Sequence, residues 1–344
     1  MSGSINATVP PNGTDKCPVP EETLYQFYTA VLVIIFILAL PLNGTVLHLF
    51  IFKLKFWKSN SNNIFLFNLV LADVLLLFCL PFKAHNFLNG ERRSDTAFLC
   101  KSMLFMLFLN RGASIAFLTV TSIDRYFNVV HPGRKNLLKT LKKSPQISII
   151  IWLLLLPLTI PTWLKTFECC NSHKKDKDNI EIKEGVWDDL VDSMREIVFF
   201  TQIVVPFVIL VYCTVRIVNR LRKKTVGDQT KLRRAVFLVT SVMVVFSICF
   251  LPCAIARMIL LIARVQEWSK FTQNTVVKAF DGLMVLSYFD CLLDPLVYCF
   301  CSTKFKGLYI STYFPCLLKG DKVLDVNSSS AANMSNPRRA NTVI

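Results

Sequence analysis

The 344-residue chain is poor in glycine (11 residues), poor in charge (18% Asp, Glu, Lys and Arg) and poorer in acids than in bases, 23 against 39. With 53% hydrophobic residues, 28 of them Phe, and a mean hydropathy of +0.47, it is more apolar than a large soluble core requires, which excludes a soluble globular protein. No His and Cys cluster has zinc-ligand spacing, and no nucleophile stands with a base, so an enzyme is not expected. No segment repeats at a fixed period, as paired transporter halves would. An apolar plug of Ile115, Phe117, Leu118 and Val120 also interrupts any continuous charged path for a transporter or channel. The middle of the last apolar stretch reads Ser287, Tyr288, Phe289, without the lysine that a retinal pump needs.

What is present is a series of apolar stretches. A bilayer core of about 30 Å needs about 20 such residues, and seven stretches supply them: 25–52, 62–82, 98–120 or a little beyond, 144–163, 197–215, 235–263 and 276–301. Pro41, Pro81, Pro157, Pro161, Pro206, Pro252 and Pro295 fall inside them, tolerable where neighbouring helices re-satisfy the backbone. The expected fold is an all-α membrane protein, a seven-transmembrane helix bundle over 25–301. It follows an N-terminal segment, 1–24, and precedes a short amphipathic surface helix, 302–316, and a disordered tail, 317–344.

Basic residues orient the bundle. The links after the first, third and fifth stretches carry Lys53, Lys55 and Lys58, then Arg134 to Lys143, then Arg220 to Arg234, with Asp228 almost the sole acid. The opposite links mix signs, so the N-terminus is expected outside the cell and the tail in the cytosol, at the plasma membrane. The net charge of +16 is then a topology signal, and no nucleic-acid partner is expected. Sequons at Asn6 and Asn12 fit an extracellular N-terminus, whose first helix does the targeting without a separate signal peptide. Cys17, Cys100, Cys169 and Cys170 lie on the oxidising side. Adjacent Cys169 and Cys170 are poor partners for each other, so Cys100 is expected to bond one of them and Cys17 the other, making the long outer loop a lid.

Polar residues inside the apolar stretches are costly and point to function. Asp73, Asn110, Ser114 and Asp294 read equally as helix-bonding groups and as a hydrated cation pocket, two carboxylates with neutral oxygens suiting sodium. Arg111 lies about 16 Å below Cys100 at about 1.5 Å per residue, near mid-membrane. Arg125 is 14 residues further and within about 40° of the same face. Lys83 and Arg257 could converge on the same space, although both lie near enough to the rim to snorkel. A guanidinium grips a carboxylate with two parallel hydrogen bonds, so an acidic ligand is expected for Arg111. The competing reading is a salt bridge to Asp290 or Asp281.

The order of "LNGTVL", "NLVLAD", Cys100, "DRY" at Asp124, Arg125 and Tyr126, Trp152, Pro206, "CFLP" ending in Phe250, Leu251 and Pro252, and "DPLVY" ending at Tyr298 resembles the rhodopsin-like G-protein-coupled receptors. The resemblance implies that Asp124, Arg125 and Tyr126 meet the G protein, that Phe250 and Pro252 hinge the sixth helix, and that Tyr298 swings inward on activation. It implies an allosteric sodium ion at Asp73, Asn110, Ser114 and Asp294, and no other cofactor. This chain departs from the common pattern with Phe250 for tryptophan, Asp294 for asparagine and Thr214 for tyrosine.

Within that family, "IFLFNL", "MLFMLFLNRGASIAFLTV", "DRYFNVVHP", "KLRRAVFLVT" and "LLDPLVYCF" are similar to the group of hydroxycarboxylic acid and oxoeicosanoid receptors. That likeness implies that Arg111 holds a ligand carboxylate and that Arg257 lines the same pocket; Lys83 and Tyr288 are further candidate ligand residues. It also implies coupling to the inhibitory G protein, which lowers cyclic AMP. A nucleotide, a peptide or another anion is the alternative ligand. Beyond the last stretch, "STKFKGLYISTYF" suits a helix on membrane lipid, Cys316 a palmitate, the Ser and Thr of the tail an arrestin once phosphorylated, and "NTVI" a PDZ groove.

Overall fold

The structure, a computed structural model, describes residues 18–55, 61–94, 96–131, 144–164, 181–223, 229–301 and 303–313. Asn6, Asn12, Cys17, Cys169, Cys170 and Cys316 lie outside them. The described elements are α1 (Glu22–His48), α2 (Ser61–Leu77), α3 (Leu80–Leu88), α4 (Ala97–Val130), α5 (Ser144–Leu164) and α6 (Glu181–Lys223). They continue with α7 (Gln229–Cys249), α8 (Leu251–Val265), α9 (Lys270–Ser287), α10 (Asp290–Cys301) and α11 (Thr303–Tyr313). α1 runs on through a wider turn, Leu49–Lys53.

Three passes of the bundle are broken in two, and proline accounts for two of the breaks. α2 gives way to α3 ahead of Pro81, and α7 to α8 at Phe250, two residues before Pro252. Proline has no amide hydrogen and its ring crowds the carbonyl four residues earlier, so the ladder opens there. The same effect places Asn43. Pro295 in α10 cannot bond the carbonyl of Cys291, and Asn43 Nδ2 donates to that oxygen at 2.8 Å instead.

Five described stretches are long and apolar enough to cross a bilayer: Glu22–Lys53, Asn63–Leu88, Phe98–Val130, Leu190–Arg222 and Leu232–Val265. Ser144–Ile160 is apolar but shorter. The α9 and α10 pair carries Lys278, Asp281, Asp290 and Asp294 and so reads as less apolar, yet the three acids are buried against other helices. These passes alternate in direction. We call the end of Glu22, Leu88 and Ala97 upper and the end of His48, Val130 and Cys301 lower.

α4 is the central helix, packed by α2, α5, α6 and α7. Its middle is buried nearly all round, and Ile115, Phe117 and Leu118 enter the lower core with Phe246 and Phe250. Gly112 permits this closeness, because a Cβ there would lie 2.8 Å from Leu155 Cδ2 and 3.3 Å from Gln202 Nε2. Trp152 Nε1 donates to Asn68 Oδ1 at 3.0 Å and pins α5 to α2. α11 is docked under α1, with Tyr313 Oη 2.9 Å from His48 Nδ1 and donating to the Thr45 carbonyl at 3.3 Å.

Candidate ligand pocket

Above the apolar plug, the upper half of the bundle encloses a cavity of about 130 Å³. Helical spacing brings its walls together. α4 contributes Leu104, Leu107, Phe108 and Arg111, α8 contributes Arg257, Leu260 and Arg264, and α9 contributes Phe280, Asp281 and Met284, with Tyr288 just past its end. α3 adds Lys83 and Phe87, α6 adds Arg195, Glu196 and Phe199, and the link after α3 adds Arg92 and Arg93.

Arg111 forms the floor and is buried. Its Nη2 donates to Ser287 Oγ at 2.9 Å and approaches Met284 Sδ at 2.9 Å, its Nη1 lies 3.8 Å from Cys253 Sγ, and its plane stands 5.8 Å from the Phe199 ring. The Ser287 hydroxyl spends its own proton on the Met284 carbonyl at 2.7 Å, so its lone pairs face the guanidinium. Sulfur is a weak acceptor, so among the described residues five N–H donors meet one strong acceptor. Among the described residues no carboxylate lies within ion-pair distance of Arg111.

The two acids considered as its partners are engaged elsewhere. Asp281 accepts two hydrogen bonds from Arg92, Nε to Oδ2 at 2.6 Å and Nη2 to Oδ1 at 2.9 Å, and a third from the Tyr25 hydroxyl. Asp290 Oδ1 accepts from the amide of Cys291 at 2.8 Å.

The other expected ligand residues all line the cavity, in different states. Arg257 is held by Glu196, its Nε donating to Oε2 at 3.0 Å and its Nη2 to Oε1, and Arg195 Nη2 donates to the same Oε1 at 2.9 Å. Arg257 is therefore a paired wall residue, unlike Arg111. Lys83 Nζ donates to the Arg92 carbonyl at 3.2 Å and sits 4.3 Å from the centre of the Phe87 ring. The Tyr288 hydroxyl is buried with no hydrogen-bond partner among the described residues. In the link, burial first and then the like charges of Arg92 and Arg195 push the Arg93 guanidinium down to about 10.

Residue-by-residue reading of the sequence passed over Arg92, Arg93, Arg195, Glu196, Arg264 and Ser287 as parts of this site. Charged pairs such as Arg92-Arg93 and Arg195-Glu196 at the mouths of apolar stretches are the available signal.

At the lower end, Asp124 Oδ2 accepts from Asn128 Nδ2 at 3.0 Å, and Tyr126 Oη lies 3.2 Å from His131 Nε2 and 3.4 Å from Tyr212 Oη. Phe250 is buried against Phe246, their ring centres 5.4 Å apart. Tyr298 lies on α10; its side chain is outside what is described. Between pocket and plug, Asp73, Asn110, Ser114 and Asp294 are all buried, and both side-chain oxygens of Asp294 and both polar atoms of Asn110 lack hydrogen-bond partners among the described residues. Cys100 is disulfide-bonded, to a partner outside those residues.

A proline-broken bundle whose central helix carries a buried cation over an apolar plug, with Asp-Arg-Tyr at its other end, has a counterpart among known families. The family model described as "7 transmembrane receptor (rhodopsin family)" matches residues 20–298. The chain belongs to that family. It is a multi-pass membrane receptor, not an enzyme, and family membership supplies a small-molecule or lipid ligand and a G protein as its partners. Hydroxycarboxylic acid receptor 2 of Homo sapiens is 34% identical over 300 residues, covering 84% of this receptor and 78% of the relative. The 12-(S)-hydroxy-5,8,10,14-eicosatetraenoic acid receptor of Mus musculus is 34% identical over 272 residues, covering 78% and 83%. Oxoeicosanoid receptor 1 of Homo sapiens is 28% identical over 293 residues, covering 84% and 72%. The likeness to the hydroxycarboxylic acid and oxoeicosanoid group, read from the motifs alone, is thus borne out.

Proposed function

We propose that this receptor answers to a carboxylate, of the kind that a hydroxycarboxylic acid or an oxidised fatty acid presents. It would stand in the plasma membrane with the upper end outside, couple to the inhibitory G protein and lower cyclic AMP. The observation that carries the reading is Arg111: a buried guanidinium whose nearest partners are a hydroxyl and two sulfurs, while both nearby acids are held by other groups. Burying a charge without a counter-charge is expensive, and an incoming carboxylate removes that cost with two charge-assisted bonds. Relatives named for hydroxy and oxo acids support the same class.

The acid would enter beneath the upper links, displace the weak sulfur contacts and bond Arg111. Arg111 touches Ser287 and Met284 on α9 and Cys253 on α8, so an anion that draws the guanidinium toward itself alters the contact between α4, α8 and α9. α8 joins α7 at the Phe250 and Pro252 break, where a small rotation above becomes a larger displacement below. A ligand that binds the swung-out state better shifts the population toward it, uncovering Asp124, Arg125 and Tyr126 for the G protein. Asp73, Asn110, Ser114 and Asp294 would hold a sodium ion that favours the closed state, a role that the partnerless oxygens of Asp294 suit.

The test is a cyclic AMP assay on cells expressing the receptor, with carboxylates graded by chain length. Wild type should respond and Arg111→Ala should be silent at equal surface expression. An unchanged dose response in Arg111→Ala would refute the reading.

A further inference from the structure

The cavity is layered by chemistry as well as by depth. Arg111 is its floor. Above it lies an apolar band, in which Leu107 stands one turn over Arg111 on α4 and the rings of Phe108 and Phe199 meet edge to face, their centres 6.2 Å apart. Above the band the walls turn ionic on two sides. On one, Glu196 of α6 accepts from Arg257 of α8 and from its neighbour Arg195; on the other, Asp281 of α9 accepts from Arg92 and the Tyr25 hydroxyl. Phe199 lies three residues, about 4.5 Å, below Glu196 on the same helix, so the change from apolar to ionic takes less than one turn.

A carboxylate oxygen has two acceptor sites. Among the described residues Asp281 Oδ1 accepts one hydrogen bond, from Arg92 Nη2 at 2.9 Å, and Glu196 Oε2 accepts one, from Arg257 Nε at 3.0 Å, so each acid keeps a lone pair for a further donor. An alkyl tail raised to this level would cover the ion pairs without replacing the water that it removes, a cost that a hydrogen-bonding group avoids. From this layering, and resting on the carboxylate reading of Arg111, we infer that the ligand carries a neutral hydrogen-bond donor at the end remote from its carboxylate, a terminal hydroxyl in its simplest form. The carboxylate bonds Arg111, the carbon chain fills the apolar band, and the hydroxyl donates to Glu196 or Asp281. Helix rise sets the length. Arg257 stands four residues, about 6 Å, above Cys253 on α8, and Asp281 stands six residues, about 9 Å, above Ser287 on α9, Cys253 and Ser287 being contacts of Arg111 on those helices. An extended chain advances about 1.2 Å per bond, so about five to seven bonds separate the two groups. A hydroxyl on the carbon beside the carboxylate stops short, within the apolar band.

The experiment compares, at equal heavy-atom number, straight-chain acids ending in methyl, acids ending in hydroxyl, and the 2-hydroxy isomers of the latter. Cyclic AMP response in cells expressing the full-length receptor and thermal stabilisation of the purified receptor are read, wild type beside Arg111→Ala. At the chain length set above, the terminal hydroxy acid should exceed both others by about tenfold, the worth of one hydrogen bond to a charged group. In Glu196→Gln or in Asp281→Asn, whichever residue accepts the hydroxyl, that ratio should fall toward one. A methyl-ended acid or a 2-hydroxy isomer as potent as the terminal hydroxy acid in wild type, or a ratio unchanged in both variants, overturns the inference and, with Arg111→Ala silent, leaves the carboxylate reading standing. If no acid acts through Arg111, the carboxylate reading falls and the terminal donor with it. The wild-type ratio decides the matter even where a variant expresses poorly.

Discussion

Arg92 grips Asp281 across 189 residues of sequence with two parallel hydrogen bonds, and so fastens the link after α3 to α9 at the mouth of the pocket. The Tyr25 hydroxyl on the same carboxylate adds α1 to the clasp. Asp281→Asn keeps the shape and removes the charge, leaving Arg92 beside Arg93 without its counter-charge. The expected loss is about 2 kcal/mol of stability, between the values for exposed and fully buried pairs because Arg92 is partly solvated. Thermal unfolding in detergent reads it, and a loss no larger than that of a surface Asp→Asn control would show the clasp to be incidental.

Ser287 orients the floor cation. Ser287→Ala removes the only strong acceptor of Arg111 among the described residues, so the guanidinium is less well placed for the ligand. Potency for carboxylates should fall by about tenfold, the worth of a hydrogen bond to a charged group, with the maximal response retained. Radioligand or functional dose-response curves would detect this.

Arg93 gives a prediction of the opposite sign in stability. Its ionisation in the folded state is pushed down to about 10, below the ordinary range for arginine, chiefly by burial. A base whose folded value is depressed is destabilised by its own charge at every pH below that value, which includes neutral pH. Arg93→Gln should therefore stabilise the unliganded receptor, by on the order of 1 kcal/mol after solvent screening. Melting curves in detergent check it.

Gly112→Ala tests the packing beside Arg111. The new methyl would lie 2.8 Å from Leu155 Cδ2, so the side chain must move or the helices part, costing about 1–3 kcal/mol. Because the clash is with a side chain, Leu155→Ala in the same molecule should recover much of the loss. Failure of the second change to rescue the first would place the cost in the Gln202 contact instead.

Sodium should compete with agonist. Replacing sodium chloride by equimolar N-methylglucamine chloride should raise agonist affinity in wild type and do little in Asp294→Asn, which lacks the charge. Equal sensitivity in both would mean that the buried oxygens of Asp294 bind no cation.

Hydropathy, basic links, prolines and ordered motifs together made the seven passes and the family legible, and marked Arg111 as a candidate ligand residue. Each of these is a local property, summed along a stretch or carried by a few consecutive residues, and a bilayer reads it in the same way. Which cation remains without a counter-charge is another matter. Arg257 and Arg111 look alike as intramembrane arginines, and only folding sets Glu196 against the first and Ser287, 176 residues away, against the second. Asp281 could have paired with Arg111 by sequence, yet it meets Arg92. Ion pairing falls off within a few ångströms and depends on the rotation of helices far apart in the chain, so the tertiary structure alone assigned the partners.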